Sequence, residues 1–285
     1  MESLRAGSPY RGAVAVMATK HGKAELVAPP LMEVLGLEVV AAAVDTDELG
    51  TFSGEIPRLA APLETAVAKA RMGMAATGLA IGVASEGTVG PSAAVPFLSV
   101  ARELVVLVDD ERGIVVADTE ISYDLITICV DAEADQDLTG QLEQGQFPAH
   151  AVLVRPTDGS PGPVFKAIRD PHALRVALEA CCDASVDGRA RVETDLRAHL
   201  CPSRQPIIAR AARRLADRVA TPCPECASPG FGIVGVEIGV PCEWCGRDTD
   251  LVRAHVLGCV ACRAQRVDVV ATEAADPGHC AWCNP

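Results

Sequence analysis

Short apolar runs alternate with helical patterns along the first three-quarters of the chain. Ala13–Ala18 (AVAVMA) is brief, partly β-branched and followed by turn residues, which predicts a buried strand. A polar loop, Thr19–Lys23, leads into a helix that runs to Leu35 and stops at Gly36. Its regular part is expected to start at Pro29-Pro30, since proline suits a first helical turn. Leu37–Val44 predicts a second strand, and residues 45–58 form a long polar loop. Pro62 opens the clearest helix of this half, PLETAVAKARMGMAATG, which stops at Gly78. A third strand is expected over Leu79–Ala84, ending in Ser85-Glu86-Gly87, and Glu103–Val108 with Gly113–Asp118 predicts a hairpin continuing towards Val130.

Residues 137–145 are weakly helical in pattern. Ala149–Arg155, Val164–Ile168 and Arg189–Leu196 read as strands, and Pro171–Cys182 as a helix. Ser203–Ala220 predicts an amphipathic helix, with Ile207, Ile208, Ala211, Leu215 and Val219 on one face. Arg210, Arg213, Arg214 and Arg218 are expected on its solvated face. The alternation predicts an α/β fold: a mixed-sheet domain with flanking helices over residues 13–220. A flexible leader at 1–12 precedes it and a small separate module at 221–285 follows.

Four Cys-x-x-Cys pairs define that module: Cys223/Cys226, Cys242/Cys245, Cys259/Cys262 and Cys280/Cys283. Each is the shape of a zinc knuckle, and together they supply the sulfurs for two structural zinc ions with four cysteine ligands each. Spacing permits two sequential ribbons, pairing neighbouring knuckles, or an interleaved cross-brace. Sequential ribbons are preferred. His255 and His279 read as bystanders, and Cys129, Cys181, Cys182 and Cys201 as small hydrophobes. No secretory leader and no run of about 18 apolar residues is visible. The expectation is therefore a soluble cytoplasmic protein without membrane contact, whose thiols stay reduced.

Composition narrows the partners. Of 285 residues, 49% are hydrophobic and 22% charged, the balance of a globular chain, and aromatics at 3% leave the core to Ala, Val, Leu and Ile. A net charge of −13 argues against a nucleic-acid coat or an anionic-lipid binder. The module itself has eight acidic residues and four arginines, and each four-thiolate zinc adds about −2. Trp244 and Trp282 lie inside knuckles, where they could stack on bases or cover the sulfurs. Charge favours a structural or protein-contacting module, including one that joins two copies of the chain.

Arginine is the default cation here, and Lys20, Lys23, Lys69 and Lys166 are the only lysines. Thr19, Lys20 and Lys23 offer a hydroxyl, ammonium groups and backbone N–H groups at a helix start, a phosphate cradle without P-loop spacing. Glu64 and Lys69 sit about 140° apart around the next helix, so they do not pair but can face one cleft. Glu86 closes a buried strand, where ligand crevices of open α/β sheets lie. Glu64 and Glu86 as magnesium-holding catalytic acids, with Lys69 and the loop binding phosphates, describe assisted phosphoanhydride hydrolysis. Arg197, His199 and Arg204 form a second candidate clamp for a phosphate or carboxylate, with Asp195 orienting one of them.

Several stretches carry resemblances. ATKHGK, DTDELGTFSGEIPR, LETAVAKARMGM, GVASEG, VETDLRAH, the CPEC…PGFG segment and CAWCNP resemble, over nearly the whole chain, a family defined only as a domain of unknown function with a C-terminal zinc ribbon. Residues 13–90 are also similar to the inosine and xanthosine triphosphate pyrophosphatases. That similarity implies a phosphate loop of Thr19, Lys20 and Lys23, a second motif carrying Glu64 and Lys69, and Glu86 as metal-binding acid. It implies attack of water at the α-phosphorus and release of pyrophosphate. The chain departs from those enzymes in its cysteine module and in the 45–58 loop. The leading expectation is a nucleotide-directed, magnesium-dependent phosphoanhydride hydrolase. The alternative is a non-catalytic adaptor that binds a ligand in the α/β domain and a protein through the zinc module.

Overall fold

The computed structural model of the chain describes residues 7–19, 22–50, 59–92, 98–157, 162–271 and 273–284. Strands β1 (Val14–Ala18), β2 (Glu38–Ala42), β3 (Ile81–Pro91), β4 (Ser99–Asp109) and β5 (Ile114–Ser122) form a five-stranded sheet of order β2-β1-β3-β4-β5. β1 runs parallel to both neighbours, while β3–β4 and β4–β5 are antiparallel, so the sheet is mixed as expected. Helix α1 (Ala24–Leu35) connects β1 to β2, and α2 (Pro62–Thr77) connects β2 to β3 on the far side of β1. Strand order therefore reverses at β1, the topological switch point of an open α/β sheet.

The two faces carry different helices. On one face Val27, Leu31 and Leu35 of α1 pack with Val83, Val105 and Leu107, and with Ile208, Ala211 and Leu215 of α5 (Gln205–Val219). On the other, Ala66, Ala70 and Met74 of α2 cover Val16, Ala84, Val106 and Val108. Both expected glycine stops hold: Gly36 (φ 69°) and Gly78 (φ 74°) are left-handed and donate back to Met32 and Met74 carbonyls.

A second, four-stranded antiparallel sheet has the order β6-β9-β7-β8, from β6 (Cys129–Ala132), β7 (Val152–Pro156), β8 (Phe165–Ile168) and β9 (Ala190–Thr194). Its own core joins Val152, Val154 and Val192 to Leu174, Leu178, Cys181 and Cys182 of α4 (Pro171–Ala184), after a short α3 (Thr139–Gln144). The described residues of 13–220 thus hold two sheets with separate cores. The module adds a third sheet, β10 (Gly232–Ile238), β11 (Val252–Gly258) and β12 (Gln265–Val269), antiparallel throughout.

Four expectations are revised. Helix α1 already starts at Ala24 and carries Pro29 and Pro30 inside it, because the buried stripe Val27–Leu31–Leu35 outweighs two missing backbone donors. β3 does not end at Ala84 but continues to Pro91, held by β4 through a register from Ile81↔Asp109 to Pro91↔Ser99. Within the expected leader, residues 1–6 lie outside the described residues, but Tyr10 is fully buried and its hydroxyl donates to Asp109 Oδ2 at 3.0 Å. The α5 arginines are not merely solvated: Arg210 binds Glu120 (2.8 Å), Arg214 binds Asp118 (2.9 Å), and Arg218 donates to the Ala117 carbonyl (2.7 Å). No described helix is long and apolar enough to cross a membrane.

Candidate functional site

The site grows from an unequal pair of strands. β1 ends at Ala18, whereas its parallel partner β3 continues to Pro91, so beyond Ala84 one edge of β3 loses its ladder. Lys23, at the start of α1, fills part of that gap: its Nζ donates to the Ser85 carbonyl at 3.3 Å. Successive residues of a strand point to opposite faces, so Glu86 turns towards α2 and Gly87 towards α5. Lys69 of α2 forms an ion pair with the buried Glu86. On the opposite face Glu103, level with Gly87 in the β3–β4 register, binds Arg204 twice, through Nε–Oε1 at 2.5 Å and Nη2–Oε2 at 3.1 Å. Arg204 Nη1 also donates to the Leu196 carbonyl. Glycine is required at position 87, since a Cβ there would overlap Arg204 Nη2 and come within 2.7 Å of Glu103 Oε1.

Three cations, Lys23, Lys69 and Arg204, thus meet two carboxylates, Glu86 and Glu103, at the carboxyl end of the switch-point strand. Burial, then the nearby Arg204 guanidinium, lowers the Lys23 pKa to about 8, while Glu103 and Glu86 oppose the shift. The local excess is positive in a chain of net charge −13, which suits an anion. Beside it, the buried Ser85 Oγ has no hydrogen-bond partner among the described residues. A buried hydroxyl left unpaired is destabilising, and a ligand oxygen would satisfy it.

The Lys23 environment sets a pH dependence. Its ammonium form attracts an anion and its neutral form does not, so affinity should fall as pH rises through about 8. Between pH 7 and 9 the affinity for sulfate, whose charge is fixed there, should drop by up to about tenfold. Lys23→Arg should flatten the profile, and calorimetric titration across pH checks both.

Among the sequence candidates, the structure brings Lys23, Lys69, Glu86 and Arg204 together. Thr19 directly follows β1, and Lys20 lies outside the described residues. Glu64 sits exposed in the first turn of α2, where its carboxylate accepts the Ala61 N–H at 3.3 Å, and no described contact joins it to the cluster. Arg197 is held by the buried Asp195, through Nε–Oδ1 at 2.9 Å and Nη2–Oδ2 at 2.6 Å, the orientation expected of that acid. The carbonyl of His199 accepts Arg169 Nη2 at 3.4 Å. Arg197 and His199 therefore belong to a neighbouring polar knot, whereas Arg204 turns into the sheet. Sequence reasoning missed Glu103, Gly87 and Ser85. Glu103 had a signal: it takes an inward position in the alternation Ala101, Val105, Leu107, all fully buried.

In the module the knuckles interleave, which overturns the preference for sequential ribbons. Cys223, Cys226, Cys259 and Cys262 form one cluster and Cys242, Cys245, Cys280 and Cys283 the other, with the sulfurs of each within 4.8 Å of one another. Strand direction is the reason. Gly232 pairs with Gly258 at one end of the β10–β11 ladder and Ile238 with Val252 at the other. The first and third knuckles thus flank one end of the sheet, and the second and fourth the opposite end. Ala275, just before the fourth knuckle, pairs with Cys242 in the second.

The sulfur positions fit a metal. Cys223–Cys262, Cys226–Cys259, Cys242–Cys283 and Cys245–Cys280 are separated by 3.7, 3.6, 3.9 and 3.6 Å. A tetrahedron with metal–sulfur bonds of about 2.3 Å has edges of about 3.8 Å. None of these cysteines is in a disulfide, and the N–H groups of Ala261 and Cys262 point at Cys259 Sγ, each at 3.3 Å. Both clusters could hold a metal ion. His255 and His279 belong to neither.

No curated protein and no solved structure matches the chain. One family model does, over residues 69–285, from Lys69 of the charged cluster through the last knuckle. The chain belongs to the family described as a domain of unknown function, DUF6671.

Proposed function

We propose that the protein cleaves a phosphoanhydride in a nucleotide or similar phosphorylated small molecule with the help of magnesium, and that its module holds two structural zinc ions. The observation that carries the reading is the convergence of Lys23, Lys69 and Glu86, backed by Arg204–Glu103, at the carboxyl end of the switch-point strand. Lys23 and Thr19 bind phosphate oxygens. Lys69 holds Glu86 in an ion pair and meets a neighbouring phosphate. Ser85 Oγ supplies a further hydrogen bond, and the Glu103–Arg204 pair fixes the floor. Glu86 offers the hard oxygen ligand that magnesium takes alongside water and substrate phosphates. When bound, the cation neutralises phosphate charge and polarises the phosphoryl group. Four thiolates in a tetrahedron suit zinc, and a reducing compartment such as the cytoplasm suits the unpaired thiols.

The test is release of pyrophosphate and phosphate from a panel of ordinary and deaminated nucleoside triphosphates with magnesium. Glu86→Gln should lower turnover by at least about 100-fold; loss of the Lys69 ion pair lowers the melting temperature, but circular dichroism and zinc content show a folded protein at the assay temperature. Silence across the panel removes the hydrolase reading. A second reading, the ligand-binding adaptor, is favoured by the exposed apolar residues of the module, including Ile238, Val269, Trp244 and Trp282. Such a protein would ignore Glu86→Gln and lose its partner, or a second copy of itself, when Cys242 or Cys259 becomes serine.

A further inference from the structure

We propose that the second cysteine centre is a docking tip for a cationic, arginine-rich segment of another protein. The chain has only two tryptophans, Trp244 and Trp282, and they sit in the second and fourth knuckles. Interleaving brings those two knuckles to one centre, so both indoles decorate the same end of the module. Trp244 is 73% and Trp282 66% exposed. Exposed tryptophan is the residue type most often found as a binding anchor, and its ring face attracts cations. The tip already demonstrates this mode, because the Arg247 guanidinium lies 3.7 Å from the centroid of the Trp282 ring.

The charge around the rings selects the partner. Residues 240–250 and 273–284 contain Glu243, Asp248, Asp250, Glu273 and Asp276, all exposed, against the single arginine that is stacked on Trp282. The Glu243 N–H donates to the Ala275 carbonyl, which lays the two acidic segments side by side. Aromatic faces in a negative field suit guanidinium and ammonium groups and repel the phosphates of a nucleic acid. A second copy of the chain is poorly equipped for this role. Its most prominent arginine stripe, Arg210, Arg213 and Arg214 of α5, is paired with Glu120, Glu33, Asp217 and Asp118 of its own chain. The inference stands apart from the Glu86 site and holds whether or not that site is catalytic.

Tryptophan fluorescence, excited beyond the tyrosine band, reports on this tip alone, because no other tryptophan exists in the chain. Titration of zinc-loaded full-length protein with an oligoarginine peptide should give a saturable change in emission, and an oligoglutamate peptide none. By calorimetry, Trp244→Ala, Trp282→Ala and the pair Glu243→Gln with Glu273→Gln should each weaken the peptide at least about tenfold with zinc content unchanged. Equal affinity in Trp244→Ala would mean diffuse attraction to an acidic surface and would overturn the proposal. So would tighter binding of single-stranded DNA, or self-association of wild type that Trp244→Ala abolishes.

Discussion

Glu103→Gln should destabilise the protein by about 3–5 kcal/mol, although Glu103 lies in none of the recognisable motifs. Glu103 is 0% and Arg204 1% exposed, and two hydrogen bonds join them across the face of Gly87. Removing the carboxylate charge leaves a guanidinium in a low-dielectric interior without its counter-ion, which costs far more than the pair itself contributes. The same change withdraws a charge that supports the Lys23 ammonium, so the pH at which anion binding fails should move down. Gly87→Ala should act similarly by forcing the pair apart. The measurement is the urea midpoint followed by circular dichroism, with Glu120→Gln as reference. Glu120 holds the half-exposed Arg210, and a pair of that kind is worth about 0–1 kcal/mol. If Glu103→Gln unfolds at the same midpoint as Glu120→Gln, the pair is not the floor of the site.

Metal removal has the other large expected effect: chelation should unfold residues 221–285 while both sheets of the α/β region persist. The module has little else to hold it. Its buried apolar cluster is Cys223, Phe231 and Ala264, with Leu257, Cys259 and Cys262 at the margin, so half of that cluster is cysteine of the first four-sulfur group. Val234, Ile238, Val252, Val267 and Val269 lie on its surface instead. Structural zinc sites bind with about 10–16 kcal/mol, enough to fold a domain of this kind. Interleaving adds a sharper expectation. Cys226→Ser should make Cys259 and Cys262 reactive to an alkylating reagent, because they share its centre, and leave Cys242 and Cys245 protected. Peptide mapping of the labelled protein reads this directly. Labelling of Cys242 and Cys245 instead would restore the sequential arrangement.

How much of this was legible in the sequence depends on the range of the interaction. Helix α2 was readable from its opening proline and closing glycine, and β1 from a short apolar run, since local period and caps decide both. The eight clustered cysteines were readable because a two-residue gap is what lets two sulfurs meet one point. Their pairing was not, because spacing carries no record of which way the intervening strands run. Ser85-Glu86-Gly87 reads locally as the end of a strand, yet β4 pairs those residues within a longer one and Lys69 forms an ion pair with the acid. Arg204 stood out as one of many arginines, but its partner lies 101 residues away, and only the fold identifies it. Proline in α1 misled for the converse reason: local chemistry asked for a later start, and burial of three apolar side chains prevailed.

Calorimetric titration with a methylene-bridged nucleoside triphosphate and magnesium asks whether the cluster at the end of β1 binds phosphates. A phosphate site here should give saturable binding of one ligand per chain, weakened at least about tenfold by Lys23→Ala and by Lys69→Met, each a loss of about 1.4 kcal/mol or more. Absence of binding, or equal affinity in wild type and both variants, would contradict it.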